Sequence, residues 1–179
     1  TSIEVMDGRS HIRGNTSYLA AFDYDQASGL LNTITFPGGQ EETYSYDARG
    51  LPIEINLIDG TTTLKEYDER ARLKRVEARG KEIFYSYDQR DRVKKVASQG
   101  KEASFSYDAA GNLSSVNDPL NRTTHHDYDH FERLIQTIDP KKGMTSYEYA
   151  SSGLSRITLP NGSNREIFYD DYGRPIAIR

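Results

Sequence analysis

The chain has 179 residues, of which 35% are apolar and 28% charged, with a formal net charge of −4, 13 tyrosines, no tryptophan and no cysteine. Interleaved charge leaves no basic stripe for nucleic acid and no polybasic segment for a membrane surface, and no apolar run approaches the ~20 residues that a spanning helix needs. Without cysteine there are no disulfides, no thiolate catalysis and no cysteine-bound zinc, while the aromatic content is too high for a disordered tail, so a fold around a thin core is expected.

Residues 1–17 carry no nameable motif and read as the tail of a preceding repeat, which makes the chain an expected excerpt of a larger protein. From Phe22 onward a tyrosine returns at 24, 46, 67, 87, 107, 128, 149 and 169, at intervals of 20 to 22 residues. The copies are Tyr24-Asp25, Tyr46-Asp47 with Gly50, Tyr67-Asp68, Tyr87-Asp88, Tyr107-Asp108 with Gly111, Tyr128-Asp129, Tyr149 with Gly153, and Tyr169-Asp170 with Gly173. Two residues before each tyrosine stands a mostly aromatic site (Phe22, Tyr44, Lys65, Tyr85, Phe105, His126, Tyr147, Ile167), which shares the tyrosine's face on an extended strand.

Aspartate first and glycine fourth suit a type I turn, because the carboxylate accepts local backbone N–H groups and glycine tolerates positive φ. Ala71, Asp91 and Glu132 replace the glycine in three copies, which predicts turns of a different type there. A return strand follows with apolar residues three apart: Leu31 and Ile34, Leu73 and Val76, Val93 and Val96, Leu113 and Val116, Leu154 and Ile157. In two copies the strand opens on proline, at Pro52 and Pro175. A second turn cluster, such as Pro37-Gly38-Gly39, Asp59-Gly60 or Asp118-Pro119, closes each repeat.

No window shows the i, i+3, i+4, i+7 pattern of a helix, so the expected class is all-β. About sixteen strands spaced ~4.8 Å apart would unroll to roughly 75 Å. Such a width must twist, as a curved antiparallel sheet, a spiral strip or a partial large β-barrel. The whole of 1–179 is expected to be a single array whose neighbouring repeats bury one another's aromatic ladders, and whose open edges favour self-association.

The stretches GKEIFYSYDQRDRVKKV, GKEASFSYDAAGNLSSVNDP and NREIFYDDYGRPIAI resemble the YD repeats of bacterial Rhs proteins, insecticidal toxin-complex subunits and animal teneurins. The resemblance implies a hollow shell of hairpins that, in the bacterial relatives, encloses a C-terminal toxin. It therefore implies a secreted or cell-surface bacterial protein whose partners are flanking repeats and an encapsulated effector of the same polypeptide, with no enzymatic role for this segment. A surface adhesin or carbohydrate-binding array, with glycans as partners, is the alternative. No DPxGL-like boundary is present, and Asp118-Pro119 and Asp139-Pro140 fall in the repeat phase as turns, so no self-cleavage attaches to them.

Chemistry-bearing clusters are few. His126 and His130 share a face if the strand continues through both, with His125, Asp127 and Asp129 opposite, which makes them weak metal candidates against the demand for three or four convergent ligands. His126, however, fills the aromatic site and Asp129 the turn site of the repeat. Asp170-Asp171 have the residue types of a glycosidase pair, but repeated turn aspartates account for them more simply. No nucleophile elbow and no cofactor motif occurs, so no catalytic or cofactor-binding residue is assigned. The ladder of Tyr44, Tyr46, Tyr85, Tyr87, Phe105, Tyr107, Tyr147 and Tyr149 is expected to pack across strands.

Overall fold

A computed structural model describes residues 20–179 throughout and residues 2–6 and 9–13 as strand backbone. Among the described residues it contains eighteen strands and no helix. The chain divides into two compact units, residues 1–86 with 97–99, and residues 87–96 with 100–179.

The first unit holds β1 (Ser2–Met6), β2 (Arg9–Arg13), β3 (Ala21–Tyr24), β4 (Leu31–Thr35), β5 (Glu41–Tyr46), β6 (Pro52–Asn56), β7 (Thr62–Tyr67) and β8 (Leu73–Ala78). The boundary between the units passes through β9 (Lys81–Tyr87) and β10 (Val93–Ser98). The second unit continues with β11 (Lys101–Tyr107), β12 (Leu113–Asn117), β13 (Thr123–Tyr128), β14 (Leu134–Ile138), β15 (Met144–Ala150), β16 (Gly153–Thr158), β17 (Asn164–Tyr169) and β18 (Pro175–Ile178). From β1 to β9, and again from β11 to β18, each strand pairs antiparallel with the next in sequence. The all-β class is as expected, and β1 with β2 adds a strand pair where a repeat tail was read.

Register explains the sequence pattern. Tyr107 pairs with Leu113 and Phe105 with Val116, and between these two pairs the ladder shifts by one residue. The same shift falls beside the tyrosine in six further hairpins: Tyr24 with Leu31, Tyr46 with Pro52, Tyr67 with Leu73, Tyr128 with Leu134, Tyr149 with Leu154 and Tyr169 with Pro175. Residues three apart on a regular strand point to opposite faces. The β-bulge restores them to one face, so Leu113 and Val116 both lie opposite aromatic residues of β11. Each such cross-strand pair contributes about 0.2 to 1 kcal/mol.

No described residue is fully buried. The tyrosine face is half-covered by its own ladder, and the reverse face carries charge: Arg75 of β8 is held by Glu66, Glu77 and Glu82, and Arg156 of β16 by Glu148 and Glu166.

Candidate functional site: the tyrosine–aspartate hairpin

The repeating unit of the molecule is a turn joined to a seam. At the turn, Gly50 N–H donates to Asp47 C=O at 2.9 Å, with Gly50 at φ +79° and no positive φ at Ala48 or Arg49, which defines a type I turn followed by a left-handed residue. Asp47 Oδ1 accepts the N–H groups of Arg49 at 2.9 Å and Leu51 at 3.0 Å. Asp68, Asp88, Asp129 and Asp170 repeat this arrangement, and Asp108 takes the N–H groups of Gly111 and Asn112.

The second carboxylate oxygen usually meets an arginine five residues after the tyrosine, as in Arg72 to Asp68 at 2.7 Å, Arg92 to Asp88 at 2.8 Å, Arg133 to Asp129 at 2.7 Å and Arg174 to Asp170 at 2.7 Å. The guanidinium bond is the largest influence on Asp68 and Asp88 and holds both carboxyls below their ordinary range, with backbone N–H donors adding to it against partial desolvation. Asp25 heads a turn one residue longer, in which Gly29 N–H reaches Asp25 C=O, so the glycine falls one place later in that copy.

The turns lacking glycine are not of a different type. Ala71, Asp91 and Glu132 take φ of +63°, +61° and +63° and donate to Asp68, Asp88 and Asp129 C=O as the glycines do elsewhere. The aspartate contacts and strand pairing outweigh the ~1 to 2 kcal/mol penalty of a side chain in this region. Asp118-Pro119 and Asp139-Pro140 are turns of the same kind, with proline at the second position and Asn121 or Lys142 left-handed at the fourth. Arg79-Gly80 and Gln99-Gly100 instead have positive φ at both residues, the type I′ geometry of two-residue hairpins.

The seam lies between hairpins. Strands β12 and β13 exchange pairs over Ser115–His125, Val116–Thr124 and Asn117–Thr123, and their pairing stops short of the bulge. Beyond it, Tyr128 Oη donates to Leu113 C=O at 3.0 Å. The same bond joins Tyr46 to Leu31 (2.9 Å), Tyr67 to Pro52 (3.0 Å), Tyr107 to Val93 (2.8 Å), Tyr149 to Leu134 (2.9 Å) and Tyr169 to Leu154 (2.9 Å). A carbonyl outside the ladder is costly if it is screened from water without a partner, and the next repeat's phenol supplies one. The turn arginine completes the joint: Arg92 lies 4.2 Å over the Tyr107 ring and Arg133 4.5 Å over Tyr149. Along the turns, Arg49 Nη1 reaches Asp68 C=O at 2.7 Å and Arg90 Nη1 reaches Ala109 C=O at 3.0 Å.

Two readings of the sequence change. Gly153 lies in β16 at φ +128°, after a loop one residue shorter than its neighbours, since Tyr149 pairs with Leu154 five residues on where Tyr107 pairs with Leu113 six residues on, and an added Cβ would meet Tyr169 Oη at 3.3 Å. The strand of His126 ends at Tyr128, so His130 lies in the turn against Phe131, with ring centroids 3.7 Å apart, while His126 Nδ1 is 3.2 Å from Thr137 Oγ1. The two histidines do not share a strand face, and among the described residues no group of three or more His, Cys, Asp or Glu converges on a metal position. Asp170 is engaged by Tyr172 N–H and Arg174, while Asp171 beside it is exposed. The tyrosine bond and the arginine were not read from the sequence, although arginine recurs at 72, 92, 133 and 174 in fixed phase, and the three-residue apolar spacing already signalled a bulge.

The family model described as teneurin YD-shell matches residues 57–178, and the model described as RHS repeat matches residues 24–62. No curated protein matches the chain. Among solved structures, it is similar to TcdB2-TccC3 without its hypervariable C-terminal region, with a TM-score of 0.70 and 16% identity over 94% of this chain and 11% of that one. It is also similar to TcdB2-TccC3-Cdc42, with a TM-score of 0.69 and 15% identity over 91% of this chain and 11% of that one. A third is a Tc holotoxin pore of Photorhabdus luminescens carrying a TccC3 mutation, with a TM-score of 0.62 and 16% identity over 90% of this chain and 11% of that one. At such identities the likeness concerns the fold, and this chain spans about a ninth of each of those proteins.

Proposed function

The chain belongs to the teneurin YD-shell family, and from that premise we propose that this shell-type repeat segment is part of the wall of an Rhs-type polymorphic toxin that encapsulates a C-terminal effector for delivery. The observation that carries this reading is the seam. At the five seams bridged by Tyr46, Tyr67, Tyr128, Tyr149 and Tyr169, a phenol from the next repeat closes the place where pairing between hairpins lapses, and Tyr107 makes the same bond to Val93, so the sheet continues past its own bulges. Bulges bend a sheet, and a wall that curves around contents must bend without opening. Within each unit no described residue is fully buried, and strands exposed to this extent suit a partition between two aqueous spaces.

On this reading the segment is structural and catalysis resides in the cargo. Its partners are flanking repeats and the enclosed domain of the same polypeptide, and the assembly works outside the producing cell as a secreted or surface-borne bacterial particle. Protease challenge of the full-length parent protein tests the proposal. The segment following the repeats should survive in the intact parent and be cut once Tyr107→Ala and Tyr128→Ala open the wall. Equal cleavage in the intact parent and in the isolated downstream segment would refute containment.

A further inference from the structure

We propose that Asn161 is a spontaneous modification site, at which the Gly162 amide attacks the asparagine side chain and converts it to aspartate or isoaspartate with release of ammonia. It is the one asparagine of the chain that precedes glycine. It lies in the turn between β16 and β17, inside an unbroken exposed run, residues 160–165. Open space surrounds the position that a Cβ would take on Gly162, so nothing crowds the attacking residue on that side. The asparagine side chain is folded toward it: Asn161 Oδ1 accepts the Ser163 N–H at 3.0 Å and the Ser163 hydroxyl at 2.7 Å. Closing that ring draws Cγ back over the Gly162 peptide.

Gly162 N–H donates to Leu159 C=O at 2.9 Å, so the turn must release that bond before reaction. The nitrogen then gives its proton to solvent base and bonds to Cγ, and charge moves onto Oδ1, where the two Ser163 donors stabilise it. The Cγ–Nδ2 bond breaks, ammonia leaves with a proton from water, and water opens the five-membered imide on either side. The net exchange is water for ammonia, with no oxidation or reduction. Another copy of the turn holds the product side chain. Asp59-Gly60-Thr61 stands where Asn161-Gly162-Ser163 does: Gly60 N–H donates to Leu57 C=O at 3.0 Å, its φ is +78° against +81° at Gly162, and Asp59 Oδ1 accepts the Thr61 N–H at 2.9 Å. The Thr61 hydroxyl, followed by its N–H, is the largest influence holding the Asp59 carboxyl below its ordinary range, so donors two residues on favour negative charge on this oxygen.

Peptide mapping by mass spectrometry tests this, on the whole chain aged in mildly alkaline buffer beside a free peptide of residues 158–165. First-order conversion of Asn161 to a mixture of aspartate and isoaspartate is expected in the chain, with Asn112, Asn121 and Asn164 unchanged. Ser163→Ala should slow it about threefold to tenfold, the effect of one net hydrogen bond, and Ser163→Thr, which restores the hydroxyl found at Thr61, should recover the rate. The proposal is overturned if Asn161 persists in the chain while the free peptide converts, or if Ser163→Ala leaves the rate in the chain unchanged. It is equally overturned if Ser163→Ala slows the free peptide as much as the chain, since the folded turn then contributes nothing.

Discussion

The hairpin of Tyr107 and the hairpin of Tyr149 are built to one plan with one part exchanged. Tyr107 is followed by Asp108, which takes the N–H groups of Gly111 and Asn112, whereas Tyr149 is followed by Ala150, and its shorter loop carries Gly153 into the strand. Yet the phenol of each reaches back to the preceding repeat, at 2.8 and 2.9 Å, with an arginine over each ring at 4.2 and 4.5 Å. The pair familiar from the sequence is therefore two devices. Aspartate shapes the turn within a hairpin, and tyrosine fastens one hairpin to the next.

The largest effect should come from removing the fastener. Tyr107→Ala loses a half-buried ring together with its bond to Val93 C=O and its contact with Arg92, and is expected to cost about 2 to 3 kcal/mol by urea denaturation, below the value for a fully buried aromatic. Tyr149→Ala should cost a similar amount although no aspartate follows it, and a negligible loss there would break the separation of roles. Next comes Gly153→Ala, which combines φ +128° with a contact of 3.3 Å to Tyr169 and should cost about 1 to 3 kcal/mol.

Turn aspartates should matter less individually and through pH. Asp68, Asp88 and Asp170 are held below their ordinary value of 3.8, so their contribution is fully present above that value and is lost as pH falls through the lower folded values. Urea midpoints are thus expected to be flat from pH 7 to about pH 5 and to fall below about pH 4. Asp88→Asn should reduce the acid-dependent part, and an unchanged acid profile in a variant lacking several turn aspartates would contradict the assignment. The smallest change is favourable: Ala71→Gly relieves a side chain at φ +63° and should stabilise by up to about 1 kcal/mol, against the entropy that glycine adds to the unfolded chain.

Period and alternation were enough to give the strands, the turns and the all-β class, because a strand tyrosine that recurs eight times, with aspartate after it in seven copies, is a local signal. What the sequence hid was relational. Leu113 and Val116 stand three apart, which makes sense once a bulge is placed between them, and the bulge in turn creates the carbonyl that Tyr128 satisfies. Glu132 and Ala71 looked like broken turns since propensity was read one residue at a time, while the neighbouring aspartate and the paired strands impose the left-handed conformation. His130 looked like a strand residue because alternation was extended through Asp129, where the turn had already begun.

Native-state hydrogen exchange in Tyr128→Phe tests the seam most directly, since that change removes one hydroxyl and nothing else. The account predicts that protection falls about threefold to tenfold in Leu113–Asn117 and Thr123–Tyr128, flanking the lost bond, with β15 and β16 unchanged. Unchanged protection at those strands, or a uniform loss across the unit, would show that the tyrosines fill space on the sheet without fastening one hairpin to the next.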